Sequence, residues 1–430
     1  MRGFTSPPGP RRLTVAVAIA CSLAARSPAA SAGNEPDEVV ASLRSELEAL
    51  RAEYAARLAA LESRLAALEG DADLAGPTGA AAPEEMAVPV GAAGAGGPQG
   101  PLPVYGGAPA SKVFNPDISL IGNFLSVAGR NGVAPSDAFA LEEAEATFQA
   151  VVDPYARADF FFAYSEEGVE IEEGYVTFPS LPGGFLAKAG KLRASFGKVN
   201  TLHTHALGWA DRPILTQNFL GGDEGLADMG LSVSRLIPNP WLFLEATGEV
   251  FRGTSEGVFE AHEKSDLSLG ARLRSYVDLS DATNLELGGS FAAGGNDVGP
   301  GYSTRLIGAD ASFRWRPLRR SDRRFLARTE LVWSQREQEE GTARAFGTYL
   351  SGEYQFARRW FGGLRFDYAE RPESPESRDK GLSALLTFWP SEFSQVRGQY
   401  RLTRYDEGQT AHEVLFQLLF SVGAHGAHPF

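Results

Sequence analysis

The chain has little cysteine, no long apolar run and no surplus of positive charge, and each absence excludes a class of protein. Its single cysteine, Cys21, lies in an N-terminal targeting segment, so the mature chain has no disulfide and no thiol chemistry. Beyond that segment there is no run of about 18 apolar residues, which excludes a membrane-spanning helix. The formal net charge is -14. Nucleic acid is not expected as a partner, because phosphate binding requires a basic surface.

Catalytic and metal-binding motifs are also scarce. The sequence contains no G-x-S-x-G and no H-E-x-x-H, and the one combination that could serve catalysis is Asp211 with His203 or His205. His203 and His205 are weak candidates for metal ligands, with Asp211 nearby, as are His425 and His428. Metal ligation needs three or four converging donors, and two histidines two residues apart in a loop are more often incidental. We therefore predict a protein that is not an enzyme and has no metal site and no cofactor.

What the sequence does contain is alternation of apolar and polar residues. Glu413–Val422 reads E-V-L-F-Q-L-L-F-S-V, which gives an extended chain one fully apolar face and one mixed face. Its length suits a tilted transmembrane strand, which needs about 9–11 residues. The pattern therefore predicts a strand that crosses a bilayer.

About sixteen segments of this kind follow Asp117. Their approximate spans are 117–127, 139–152, 155–165, 168–178, 185–196, 226–236, 241–252, 266–278, 282–293, 302–316, 324–335, 345–356, 359–369, 380–389, 393–405 and 411–422. Tight turns alternate with longer polar stretches, among them Gly197–Gly225, Gln335–Ala343 and Arg371–Asp379. An even number of strands with alternating connections predicts an all-β transmembrane protein, an antiparallel barrel of about sixteen strands. A large soluble β-protein is the alternative.

Charged residues of these strands share one face, which we expect to line the lumen, with aromatic faces toward lipid. The basic residues are Arg157, Lys191, Arg193, Arg272, Arg274, Arg314, Arg316, Arg328, Arg365, Arg397 and Arg401. The acidic residues are Glu143, Glu145, Asp159, Asp310, Glu330 and Asp367. As a set they predict an ion pathway. Individually, each could equally belong to a salt bridge that braces neighbouring strands.

The residues before the barrel form three segments. Residues 1–32 are typical of a secretory signal peptide, with a twin-arginine signal at Arg11-Arg12 or lipidation of Cys21 as alternatives. Residues 37–69 carry leucines at coiled-coil spacing and predict an α-helical coiled coil that promotes self-association, with one amphipathic helix folded on the barrel as the alternative. Residues 70–113 are rich in Gly, Ala and Pro and predict a linker. The barrel then occupies residues 114–430.

The segment Lys188–Gly197 resembles the G-K-x-x-x-x-F-G segment of the phosphate-selective porin O/P family. Asn115–Phe124 and the C-terminal His425–Phe430 resemble a branch of barrels sometimes labelled zinc-regulated TonB-dependent outer membrane receptors. The resemblance implies a sixteen-stranded trimeric porin with a constriction loop at Gly197–Gly225. It does not assign phosphate-binding arginines. A TonB-dependent receptor needs a large plug and about 22 strands, whereas a helix and a linker precede this barrel.

These patterns together predict a porin in the outer membrane of a Gram-negative bacterium, with its coiled coil in the periplasm. Its partners are outer-membrane lipid and the small hydrophilic solutes or ions that diffuse through it, and a homotrimer is expected. Two alternatives remain: a substrate-specific importer for a metal or an oxyanion, and a structural anchor tethered through the coiled coil.

Overall fold

A computed structural model describes residues 116–165, 168–320 and 322–423. They contain sixteen antiparallel strands that form one closed barrel, so the predicted fold is confirmed. The strands are β1 (Asp117–Arg130), β2 (Phe139–Asp153), β3 (Ala156–Ser165), β4 (Gly168–Leu181), β5 (Phe185–Arg193), β6 (Ala227–Leu236), β7 (Phe243–Phe251), β8 (Ser268–Ser280), β9 (Thr283–Gly295), β10 (Ser303–Trp315), β11 (Arg324–Gln338), β12 (Gly341–Ala357), β13 (Trp360–Arg371), β14 (Ser374–Ser391), β15 (Ser394–Arg404) and β16 (Thr410–Gly423).

The described residues also contain a short 3-10 helix, Thr204–Ala206, and one α-helix, α1 (Ile214–Phe219). None of the helices in this part of the chain has the length and apolar character needed to cross a membrane. The predicted signal peptide, coiled coil and linker, together with His425, His428 and Phe430, lie outside the described residues.

Strand β16 shows how the alternation in sequence becomes a two-sided wall. Val414 and Phe416 each expose 52% of their surface on the outside of the barrel, whereas Glu413 and Gln417 are 2% and 1% exposed on the inside. A soluble protein buries the apolar face, and this wall buries the polar one. An apolar exterior around a polar interior is the arrangement that a barrel adopts in lipid.

The barrel closes between its first and last strands. The antiparallel pairing of β1 with β16 runs from Ser119 opposite Gly423 to Arg130 opposite His412. Closure gives each strand a neighbour on both sides, so no row of backbone N–H and C=O groups is left exposed to lipid.

Two connections are shorter than the sequence predicted. β12 begins at Gly341 rather than 345, and β14 begins at Ser374 rather than 380, so two-residue turns replace most of the predicted loops Gln335–Ala343 and Arg371–Asp379. The β11–β12 ladder continues to the pair Gln338 and Gly341. Polar residues extend these strands because a strand that protrudes beyond the lipid has no need of an apolar face.

Residues 194–226, between β5 and β6, fold into the barrel; we call them the inner loop. Its buried apolar residues form the core together with inward residues of the wall. These loop residues include Phe196, Val199, Leu207, Trp209, Leu215, Phe219 and Leu220, and their wall partners include Leu306, Val332 and Tyr349. At Gly347 of β12 an added Cβ would lie 2.7 Å from Leu215 Cδ1, so the glycine allows α1 to approach the wall closely.

Candidate functional site: the inner loop and the barrel interior

The two ends of the inner loop are held together by Asn200. Its Nδ2 donates to the carbonyl oxygens of Ala194, at 2.8 Å, and Leu226, at 3.0 Å, while its Oδ1 accepts from Leu226 N at 2.7 Å. Asn200 is fully buried. One amide side chain thus satisfies three backbone groups that would otherwise be costly to bury.

The first part of the inner loop is attached to β9 and β11. Gly197 N donates to Ser290 Oγ at 3.1 Å, and Val199 N donates to Glu330 Oε1 at 2.8 Å. Lys198 Nζ lies 2.8 Å from Glu286 Oε1. Burial lowers the pKa of Lys198, although the Glu286 carboxylate opposes that shift.

The middle of the inner loop meets β2 and β4 on the other side of the barrel. His203 Nδ1 lies 2.5 Å from Glu172 Oε2 and 2.9 Å from Glu145 Oε2. Its Nε2 lies 2.9 Å from Glu173 Oε2. Burial opposes protonation of His203, but these carboxylates outweigh burial and raise the pKa of His203 well above its ordinary value. His205 Nδ1 lies 3.5 Å from Glu143 Oε2 and 3.6 Å from Glu145 Oε2, and there too the carboxylates outweigh burial and raise the pKa of His205.

A β-bulge brings the two adjacent glutamates of β4 to the same histidine. On β3, Phe161 is opposite Glu173 and Phe162 is opposite Ile171, so Glu172 is an extra residue in the ladder. Strict alternation would direct one of two neighbouring side chains toward lipid, and a bulge redirects it. A similar register shift lies between β1 and β2, where Asn123 is opposite Glu143 and Phe124 is opposite Leu141.

The second half of the inner loop is attached to β13 and β15 through Asp211. Its Oδ2 lies 3.0 Å from both Arg365 Nη2 and Arg401 Nη1, and its Oδ1 accepts from Gln399 Nε2 at 2.6 Å. Asp367 adds a second carboxylate, 2.7 Å from Arg365 Nε. The sequence suggested that Asp211 lies beside the histidines. That prediction is wrong, because Asp211 lies in this ion-pair network.

A cavity of about 290 Å³ lies between the inner loop and the end of the barrel that carries the β8–β9, β12–β13 and β14–β15 connections, each two residues long. Among the described residues that line it, five are arginines and one is a carboxylate. The arginines are Arg314, Arg316, Arg324, Arg328 and Arg397, and the carboxylate is Glu353. The inner loop contributes the backbone around Leu207, whose carbonyl oxygen accepts from Arg397 Nη2 at 3.2 Å.

The predicted lumen residues fall into two groups. Arg314, Arg316, Arg328 and Arg397 line the cavity; Arg314 also lies 3.8 Å from Glu286 Oε2, and Arg316, just beyond the end of β10, is exposed there. Most others form ion pairs with neighbours on the wall or the inner loop. These pairs are Arg157–Asp159, Lys191–Glu170, Arg193–Glu172, Arg272–Asp310, Arg274–Glu245, Arg365–Asp367 and Arg401–Glu413, while Glu143 and Glu145 approach the histidines and Glu330 binds the inner loop.

Several residues of the site were not predicted. Glu172 and Glu173 were missed because the bulge interrupts the alternation, although two adjacent glutamates within a strand pattern are a usable signal for one. Tyr349, whose hydroxyl donates to Glu330 Oε1 at 3.0 Å, resembles a lipid-facing aromatic in the sequence. Asn200 has no local pattern that distinguishes it from an ordinary loop asparagine.

The fold and the two-sided wall define a transmembrane β-barrel. The anion-selective porin of Comamonas acidovorans has a TM-score of 0.51 with this chain at 10% identity, over 71% of this chain and 99% of that one. OmpT of Vibrio cholerae, an outer membrane protein in its trimer form, has a TM-score of 0.50 at 8% identity, over 71% and 99%. At such identities the likeness concerns the fold alone.

A relationship in sequence is shown by a bacterial protein of unassigned role. An uncharacterized protein of Aquifex aeolicus (strain VF5) is 30% identical in an alignment of 391 residues that covers 75% of this chain and 81% of that protein. The chain belongs to the same family as this Aquifex protein. No protein-family model matches the chain, so the resemblance to phosphate-selective porins stays a prediction.

Proposed function

We propose that the protein is a porin that lets small hydrophilic solutes diffuse across the outer membrane and that prefers anions. The observation that carries this proposal is the cavity beneath the inner loop, where five arginines face one carboxylate. A confined site with a surplus of one charge concentrates ions of the opposite sign. The inner loop narrows the barrel above this cavity, so a passing ion must come close to the arginines.

The charged wall residues give this pathway its hydration and its shape. The ion pairs of the wall cross from strand to strand, as in Arg272 and Asp310 at 2.9 Å. They keep the wall polar without adding net charge. We infer that the cavity arginines set the selectivity, and that the paired residues brace the wall.

The membrane orientation follows from the connections. Barrels of this class have short turns on the periplasmic side and longer loops outside. The cavity would then open toward the periplasm, and the predicted coiled coil at 37–69 would lie there after removal of a signal peptide at 1–32. A homotrimer is consistent with the trimer form of the Vibrio cholerae barrel and with a self-associating helix.

The test is single-channel recording on the purified protein in a planar bilayer with a salt gradient. We expect a steady conductance with a reversal potential shifted toward the equilibrium potential of the anion. A reversal potential on the cation side would contradict the anion preference. Block by one metal or oxyanion would instead indicate a specific importer, and a silent bilayer would indicate a structural anchor.

A further inference from the structure

Four potential metal donors converge where the inner loop meets β2 and β4. One oxygen each from Glu143, Glu145 and Glu172 and a ring nitrogen of His203 all lie within 4.8 Å of one another. Donors bound to one transition-metal ion at about 2.0–2.2 Å lie closer together still, so small side-chain movements would complete the geometry. The donors come from β2, β4 and the inner loop, so the fold brings them together and their closeness does not result from adjacency in the sequence.

The burial of Glu143 favours a cation at this position independently of that geometry. The residue is 5% exposed, and in the described part of the chain neither of its carboxylate oxygens accepts a hydrogen bond. The nearest cationic atom is His205 Nδ1, at 3.5 Å. Glu145 Oε2 is directed at the same point, 2.9 Å from His203 Nδ1 and 3.6 Å from His205 Nδ1. Burial of a carboxylate is costly unless a cation or hydrogen-bond donors compensate for it.

The surrounding residues orient two of the four donors, His203 and Glu145. His203 Nε2 lies 2.9 Å from Glu173 Oε2, which leaves Nδ1 directed at the other carboxylates. Thr147 Oγ1 donates to Glu145 Oε1 at 2.7 Å and leaves Oε2 directed at His203. Arg193 N donates to Glu173 Oε1 at 2.9 Å. A metal-binding histidine usually donates its second ring N–H to a carboxylate in this way.

The charges in this region also fit a divalent cation. Four carboxylates, those of Glu143, Glu145, Glu172 and Glu173, lie near two guanidinium groups. Arg193 is 3.2 Å from Glu172, and Arg212 is close enough to Glu172 and Glu143 to interact with them electrostatically. Two negative charges remain uncompensated when the histidines are neutral. One divalent cation balances them, as would a proton on each of His203 and His205.

We propose that Glu143, Glu145, Glu172 and His203 bind a divalent first-row transition cation such as Zn²⁺, which fastens the inner loop to β2 and β4. Carboxylates combined with one imidazole suit these ions, whereas Ca²⁺ and Mg²⁺ prefer oxygen donors alone. The proposal concerns the attachment of the loop, and it is independent of whether the barrel conducts.

The test is equilibrium binding to the folded full-length protein in detergent. The metal is first removed with a chelator, and His425 and His428 are replaced by alanine in every sample so that they contribute no binding. Zn²⁺ is then titrated and the bound metal counted by mass spectrometry, with Co²⁺ as a second probe because its visible absorption reports the donor set. His203→Ala and Glu143→Gln are the site variants, and His262→Ala removes a histidine from the β7–β8 connection as the matched control.

One saturating Zn²⁺ per chain is expected in the parent protein and in His262→Ala, with a loss of affinity of about 100-fold or more in the site variants. Co²⁺ should give absorption bands that His203→Ala abolishes. A difference in gel migration between unheated and heated samples identifies variants that have kept the barrel, and only these are compared. If the folded parent binds neither ion, or if His203→Ala binds as tightly as the parent, the proposal is wrong and the cluster is an ion-pair network of protonated histidines.

Discussion

Arg365 Nη2 lies 3.0 Å from Asp211 Oδ2, and this pair joins β13 to a loop residue 154 positions earlier in the chain. Arg365 is 1% exposed and also contacts Asp367. The indole of Trp209 lies against the same guanidinium, whose Cζ is 5.0 Å from the ring centroid. One arginine of the wall therefore holds the charged and the aromatic parts of the inner loop together.

Replacing Asp211 by asparagine should loosen the inner loop without unfolding the barrel. Two arginines lose a charged partner, which we expect to weaken loop attachment by about 2 kcal/mol, while Asp367 still compensates Arg365. Single-channel recordings should show added current noise and frequent transient changes in conductance. Asp137→Asn, at an exposed position between β1 and β2, should record like the parent; equally quiet traces from both variants would contradict this role.

The attachment should also respond to acid. Burial opposes ionisation of Asp211, but Arg365 and Arg401 outweigh it and lower the pKa of Asp211 from 3.8 to about 2. A carboxyl group whose pKa is lower in the folded protein stabilises the fold at pH values above its ordinary pKa. That stabilisation is lost as the pH falls from about 4 through about 2. The difference in fluorescence between the parent and Trp209→Phe should report release of the loop in that range. A transition centred above pH 5, or one retained in Asp211→Asn, would contradict the assignment.

Gly197→Ala should destabilise the start of the inner loop. Gly197 has φ +61°, which costs other residues about 1–2 kcal/mol, and an added Cβ would lie 2.1 Å from Glu330 Oε2. Glu330 cannot easily move because Val199 N and the Tyr349 hydroxyl bind its other oxygen. Gly408→Ala, at φ +75° with nothing within 4 Å of the added Cβ, isolates the backbone cost. Urea unfolding in lipid vesicles should show a larger loss of unfolding free energy for Gly197→Ala than for Gly408→Ala. Equal losses would show that the contact between the added Cβ and Glu330 does not contribute.

The strands could be predicted because their signal is local, whereas the site depends on contacts between distant segments. The side of the wall on which Phe416 and Gln417 lie can be predicted from the alternation of adjacent residues alone. The structure places them on opposite sides of the wall, as predicted. The neighbours of His203 and Asp211 depend on how a long loop folds back across the barrel, which no period in the sequence encodes. The bulge at Glu172 even opposes the pattern used to assign faces.

Arg316→Glu should reduce the preference for anions. Arg316 is exposed in the cavity, so the substitution reverses a charge on the pathway at small structural cost. At about 8 Å in water a unit charge changes an ion's energy by roughly 0.5 kcal/mol, so reversing the charge shifts the anion and the cation by roughly 1 kcal/mol each, in opposite directions. The ratio of anion to cation permeability should therefore fall by up to about 30-fold at low salt, and by less as salt screens the charge. Reversal potentials measure this ratio. Arg319→Glu, exposed in the same connection but outside the cavity lining, should leave it unchanged, and equal shifts in both variants would implicate general surface charge.

Leu364→Arg should destabilise the barrel in a bilayer. Leu364 is 61% exposed on the outer face of β13, and an arginine facing lipid near mid-depth costs about 2–4 kcal/mol. Leu318→Arg, in the β10–β11 connection where the leucine is 75% exposed, should change stability by less than about 0.5 kcal/mol. Reversible urea unfolding in vesicles compares the two. Equal stabilities would show that the face around Leu364 does not meet lipid.

The pairing of β1 with β16 has a consequence for biogenesis. The first strand to leave the ribosome gains its second neighbour only after the last strand has been made. A truncated chain forms an open sheet with two unpaired edge strands, which can pair with the edges of other chains. Only a full-length chain can therefore close the barrel, whereas a truncated chain is prone to aggregate. Insertion into the membrane is safest after translation is finished.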